Sequence, residues 1–237
     1  MTVIFRVVNF SIKKLTRLAC RIDAQELSRV PLEGPLILVA NHVNFLEVPI
    51  LFTQLQPRSM AGFAKAETWD HPILGPLFDL WGAIPIRRGE ADLQALKRGL
   101  QVLDEGGILA VAPEGTRSGD GRLLRGHAGV VLIALQSGAT LLPVAYHGGE
   151  HIWQNLRRLK RTDFTIRVGH PFQLDPGETK VTREIRQQMV DEIMWQIAAI
   201  LPGSYRGYYA NLSEATEAFL NFPPGSQSNL LRAESID

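Results

Sequence analysis

Asn41-His42-Val43-Asn44-Phe45-Leu46-Glu47 sets an imidazole and a carboxylate five residues apart. Histidine is the side chain best suited to take a proton near neutral pH. The apolar run Leu36 to Ala40 reads as a short buried strand. A strand ending in Asn-His puts the ring at the carboxyl edge of a sheet, where open α/β sheets build their sites. If the chain turns after His42, Glu47 is close enough to orient that ring. These seven residues alone fit equally well a buried or capping histidine beside an unrelated surface glutamate. A second apolar strand, Ile108 to Ala112, runs into Pro113-Glu114-Gly115-Thr116-Arg117-Ser118-Gly119. Arginine offers a planar fork of donors that matches phosphate, and a Gly-rich turn lets backbone N–H groups approach an anion. Taken alone, this too fits an ordinary surface turn.

Taken together, the two stretches resemble one family, the glycerolipid (lysophospholipid) acyltransferases. Gly82-Ala83-Ile84-Pro85-Ile86-Arg87-Arg88 looks like that family's second block, and Leu142-Pro143-Val144-Ala145 like its fourth. All four blocks come in family order between residues 30 and 150. One departure matters: the first block normally has aspartate where this chain has Glu47.

The resemblance implies transfer of an acyl group from a thioester to the free hydroxyl of lysophosphatidic acid, giving phosphatidic acid. The acceptor hydroxyl would attack directly, with no acyl-enzyme. The chain has no Gly-x-Ser-x-Gly elbow to supply a serine nucleophile. His42 is then the general base. Glu47 is its orienting acid, as in serine-protease-like triads. Because glutamate moves the carboxylate by about a C–C bond length, three readings stay open. The backbone compensates, the enzyme is slower, or catalysis is lost.

Glu114, Gly115 and Arg117 match positions that bind the glycerol-phosphate part of the acceptor. Glutamate is not an obvious phosphate ligand, so Glu114 is expected to orient Arg117 or bond a glycerol hydroxyl. Thr116 and Ser118 either bond phosphate oxygens or close the turn. Arg88 matches the second block's arginine and would add a cation for the phosphate. Neighbours in a strand face opposite sides, and Arg87 is expected to be a solvated charge. Asn41 and Asn44 are read as helix caps. Acyl-CoA or acyl-carrier protein is expected as co-substrate, with no cofactor and no metal. A different lysolipid acceptor, a hydrolase or phospholipid remodelling enzyme on the same scaffold, and a weakened lipid-binding protein are the competing readings.

The elements that would hold these residues are those of an α/β fold. The chain has 237 residues, 45% of them apolar, enough for one large domain with a sizeable core. Net charge is +1, which gives no case for nucleic-acid binding. Cys20 is the only cysteine and cannot form an internal disulfide. No apolar stretch approaches the roughly 20 residues of a membrane-spanning helix, and no signal-peptide pattern is evident.

Strands are expected at 36–40, 59–64, 84–86, 108–112, 141–146 and 164–168, and helices at 48–55, 72–80, 130–135 and from Val181 to Leu201. Asp92 should cap a further helix carrying Leu93, Leu96, Leu100 and Leu103, stopped by Gly106-Gly107. Strands alternating with helices predict a single layered α/β domain over 29–221, with a largely parallel sheet flanked by helices. Residues 1–28 form an N-terminal helical segment. Ile4, Val8, Ile12, Leu15 and Leu18 share one face, Arg6, Lys13, Arg17 and Arg21 another, and no acidic residue appears before Asp23. With a lipid substrate, this segment is expected to attach the chain to a phospholipid membrane as a peripheral, monotopic protein on the cytoplasmic side. Arg157, Arg158, Lys160 and Arg161 are read as a solvated loop, with a carrier protein or anionic lipid as alternatives. Residues 222–237 turn polar and are expected to be a flexible tail.

Overall fold

A computed structural model describes residues 3–87 and 92–235. Seven strands form one sheet in the order β1-β7-β6-β2-β5-β3-β4. They are β1 Cys20–Asp23, β2 Leu36–Ala40, β3 Met60–Lys65, β4 Ile84–Ile86, β5 Ile108–Val111, β6 Thr140–His147 and β7 Thr162–Val168. β2 takes the centre because all five of its residues are apolar and buried. Leu36, Leu38 and Ala40 pack to one face, and Ile37 and Val39 to the other. A strand covered on both faces is what a parallel sheet requires. Within this sheet, among the described residues, every strand pair is parallel except β6 with β7.

The helices divide between the two faces. α1 Val3–Ala19 and α2 Glu47–Gln54 cover the face that includes Leu38 and Val144, with Trp81 just after α3 Leu74–Leu80. α4 Leu93–Asp104, α5 Gly129–Ser137 and α7 Arg183–Ala198 cover the other, where Ile193, Ile197 and Met189 are fully buried. Asp92 caps α4 as expected, its side chain accepting from the Ala95 N–H at 2.9 Å. The short helix α6 Ile152–Arg157 precedes β7, and β8 Gln173–Leu174 pairs antiparallel with β9 Leu220–Asn221.

Two boundaries differ from expectation. The N-terminal segment does not stop short of the domain. After α1 the chain becomes β1, and Cys20 to Asp23 pair one for one with Thr162 to Thr165. Four residues are too few for a periodicity to show. The segment from 222 is also no loose tail: Asn229 is fully buried. Its Oδ1 accepts from the His170 N–H at 2.6 Å, and its Nδ2 donates to Gln196 Oε1 at 2.9 Å. Arg232 donates to the Val168 carbonyl at 3.0 Å. The polar composition that suggested a tail is a set of internally bonded groups.

α1 docks with an unusual face. Asn9 and Thr16 are buried, and the Trp81 Nε1–H donates to Asn9 Oδ1 at 2.9 Å. Ile4, Val7, Phe10, Leu15 and Leu18 are instead exposed, each 58% or more.

Candidate active site

β2, β5 and β6 run parallel and end at one edge of the sheet. The turn after β2 carries His42, and α2 begins at Glu47. This turn folds back so that Glu47 Oε1 accepts from the N–H groups of Val43 at 2.7 Å and Asn44 at 2.8 Å. Glu47 is 3% exposed. Its second oxygen, Oε2, is buried without a hydrogen-bond partner among the described residues and lies 3.8 Å from His42 Nδ1. That separation exceeds a hydrogen bond; pairs of this kind are often long until a substrate is bound.

The turn after β5 is tied to the His42 turn. Ser118 N–H donates to the His42 carbonyl at 2.8 Å, and Gly119 N–H to the Val43 carbonyl at 3.0 Å. Arg117, exposed, therefore sits one residue from the contact with His42. Gly115 takes φ 66, a left-handed conformation that favours glycine.

Glu114 behaves differently from the sequence reading. Its carboxylate reaches neither Arg117 nor open space. Oε1 accepts from the His42 N–H at 2.8 Å and Oε2 from the Leu124 N–H at 2.7 Å. Burial pushes its pKa up to about 7, against the pull of those two amides, and the Glu47 and Asp120 carboxylates add to the rise. Glu114 thus braces the backbone on either side of the site. Asn41 is not a helix cap, whereas Asn44 Oδ1 accepts from the Leu46 N–H at 2.8 Å at the entry to α2. Asn41 Nδ2 donates to the Tyr146 carbonyl at 2.8 Å and its Oδ1 accepts from the Tyr146 N–H at 2.7 Å, stitching β2 to β6. Asn44 Nδ2 donates to the Gly149 carbonyl at 2.7 Å.

His42 and Glu47 line a cavity of about 790 Å³. Its walls include Leu51, Phe52, Phe63, Phe78, Trp81, Leu96 and Ile133, and Glu114, Gly115 and Thr116 lie at its polar end. Arg87 is exposed, as expected, and also lines the cavity, while Arg88 lies outside the described residues. His127 also lines it beside Gly115, and no sequence pattern marks that residue.

The turn from 114 to 127 has a second set of supports that the sequence reading missed. Leu123 N–H donates to the Tyr205 carbonyl at 3.0 Å, and Tyr208 N–H to the Leu123 carbonyl at 2.9 Å. Tyr209 Oη accepts from the Gly126 N–H at 3.0 Å and donates to Asp191 at 2.6 Å. Tyr205 Oη donates to Glu150 Oε1 at 2.5 Å, and burial together with that carboxylate pushes its pKa up to about 12.

His42 and the buried Glu47 thus face each other in an apolar cavity that Gly115 also lines. The sequence profile of the acyltransferase family matches residues 21–147. The chain belongs to the acyltransferase family. A 1-acyl-sn-glycerol-3-phosphate acyltransferase of Limnanthes alba is 34% identical over 143 residues, covering 59% of this chain and 50% of its own. A lyso-ornithine lipid O-acyltransferase of Pseudomonas aeruginosa is 33% identical over 112 residues, covering 47% of this chain and 42% of its own. The chain thus spans about half the length of the curated relatives it matches. The crystal structure of a Thermotoga maritima 1-acyl-sn-glycerophosphate acyltransferase, PlsC, superposes with a TM-score of 0.58 at 23% identity, covering 80% of this chain and 77% of that one. It shares the fold of this acyltransferase.

Proposed function

We propose that the chain transfers a fatty acyl group from an acyl thioester to the free hydroxyl of lysophosphatidic acid, giving phosphatidic acid. The observation that carries this reading is the buried, unpartnered Oε2 of Glu47 facing His42 Nδ1 at one end of an apolar cavity. The cavity suits a fatty chain. His42 Nε2 takes the proton from the acceptor hydroxyl as its oxygen attacks the thioester carbonyl. Glu47 stabilises the imidazolium that forms. The C–S bond then breaks, and the departing thiolate takes the proton back from His42. Arg117 and the N–H groups around Gly115 receive the acceptor's phosphate next to that hydroxyl. Arg87, which lines the cavity, adds positive charge there. Acyl-CoA and acyl-carrier protein both present the required thioester.

α1 is the membrane attachment in this reading. Its outward apolar face is flanked by exposed Arg6, Lys14 and Arg17, an arrangement suited to lying in a headgroup layer. No helix among the described residues is long and apolar enough to cross a membrane.

The relative named for a lyso-ornithine lipid makes the acceptor the point to test. Thiol release from long-chain acyl-CoA should be measured with lysophosphatidic acid, lysophosphatidylcholine and lyso-ornithine lipid. Lysophosphatidic acid is expected to be used best, with Arg117→Ala raising its KM about tenfold, the loss of one charge-assisted contact. Equal use of all three acceptors, with no effect of Arg117→Ala, would overturn the acceptor assignment.

A further inference from the structure

The segment joining α6 to β7 departs from what folding alone would select. Residues 151–162 contain four cations, Arg157, Arg158, Lys160 and Arg161, and no acidic residue. α6 ends in a Schellman turn: Lys160 N–H donates to the Asn155 carbonyl at 2.9 Å and Leu159 N–H to the Leu156 carbonyl at 3.0 Å. The left-handed position of that turn favours glycine. Here it holds Leu159 at φ 52, the only non-glycine residue at positive φ among the described residues. Leu159 is 98% exposed, so its side chain stabilises nothing inside the fold. Trp153, 60% exposed, and Leu156, 39% exposed, lie one helical turn apart beside it.

We propose that this tip is a second membrane contact, fitted to the surface of an anionic phospholipid bilayer. Apolar side chains project from a ring of cations, which matches acyl chains beneath anionic headgroups. β7 runs antiparallel to β6, so its start lies at the edge of the sheet that carries His42. Trp153 packs against Phe45 of the His42 turn, with ring centroids 5.3 Å apart and the planes tilted by 35°. The tip is also continuous with α1, since one Arg161 nitrogen donates to the carbonyls of Arg17 and Cys20, both at 2.6 Å. Two contacts in line would hold the mouth of the site toward the bilayer. This rests on the reading of a membrane-borne acceptor and concerns side chains of the α6–β7 tip, distinct from those of α1.

Cys20 is fully buried, so a polarity-sensitive fluorophore can be directed to one introduced thiol. The probes are the full chain carrying L159C, F10C on α1, or D104C at the opposite edge of the sheet. They are mixed with phosphatidylcholine vesicles, with and without phosphatidylglycerol. The labels on L159C and F10C should shift to the blue with anionic vesicles, and the label on D104C should not. Leu159→Gly should weaken vesicle binding about tenfold, the loss of one buried leucine, while raising thermal stability by relieving the turn. A response from F10C without one from L159C would overturn the tip contact and leave α1 standing. Silence from both would overturn the membrane reading itself and the tip contact with it. A shift of the L159C label by an acidic carrier protein, with none by vesicles, would make the tip a protein dock and overturn the proposal.

Discussion

Glu47 has two tasks, one per oxygen. Oε1 closes the turn through two backbone amides, and Oε2 faces His42 Nδ1. Glu47→Gln keeps the volume but replaces one acceptor by a donor and removes the charge proposed to stabilise an imidazolium. Its kcat should fall on the order of 10²–10⁴-fold, the range for a disabled base, with the acceptor KM little changed. A variant that alters KM alone would remove Glu47 from the proton chemistry. Glu114 makes a prediction about pH. Its pKa lies near 7 in the fold against an ordinary 4.5, because burial disfavours the anion. The fold therefore holds this proton more tightly than the unfolded chain does. The stability it contributes is complete below pH 4.5 and is lost as pH rises through 7. At about 1.4 kcal/mol per pH unit the change across that window is roughly 3 kcal/mol. Denaturation of wild type minus Glu114→Gln across pH 4 to 8 should show this slope. A flat difference would mean that Glu114 does not titrate there.

The next scale is the element. The turn from 114 to 127 carries Gly115 and Arg117, proposed to receive the acceptor, yet it is held by 203–209, far along the chain and beyond the stretch matched by the family profile. Gly207 takes φ 48, and a Cβ there would run into the backbone of Leu123. Gly207→Ala should therefore cost roughly 1–3 kcal/mol in denaturant unfolding and raise the acceptor KM. An unchanged KM in a destabilised variant would mean that the clamp supports the fold without setting the site. This clamp could not be read from sequence. Residues 203–209 form two short 3₁₀ turns without periodicity, and their bonds to Leu123 run through backbone atoms. What was legible had a local signature. Asp92 capped α4, the strands flanking both motifs formed where apolar runs met polar turns, and His42 with Glu47 converged across one turn. Glu114 was located correctly but assigned the wrong partners, because motif spacing does not say which way a carboxylate points.

At the scale of the whole molecule, sequence reasoning separated pieces that the structure joins. α1 runs directly into an edge strand, and the polar C-terminal segment is locked by Asn229. Composition identifies a segment as polar but cannot tell solvation from internal hydrogen bonding. The outward face of α1 carries the remaining prediction. Leu15→Glu with Leu18→Glu changes side chains that are 64% and 74% exposed, so the fold should be retained. Sedimentation with anionic vesicles should fall at least about tenfold, since two apolar contacts are replaced by charges repelled from the surface. Undiminished binding would move the main membrane surface away from α1. Beneath all of these stands one claim, that His42 is the base for acyl transfer. The most direct measurement is phosphatidic acid formed from labelled acyl-CoA and lysophosphatidic acid by wild type and by His42→Ala of equal thermal stability. Turnover by wild type and a loss on the order of 10²-fold or more in the variant is the expected result. Near wild-type turnover by His42→Ala would contradict the assignment.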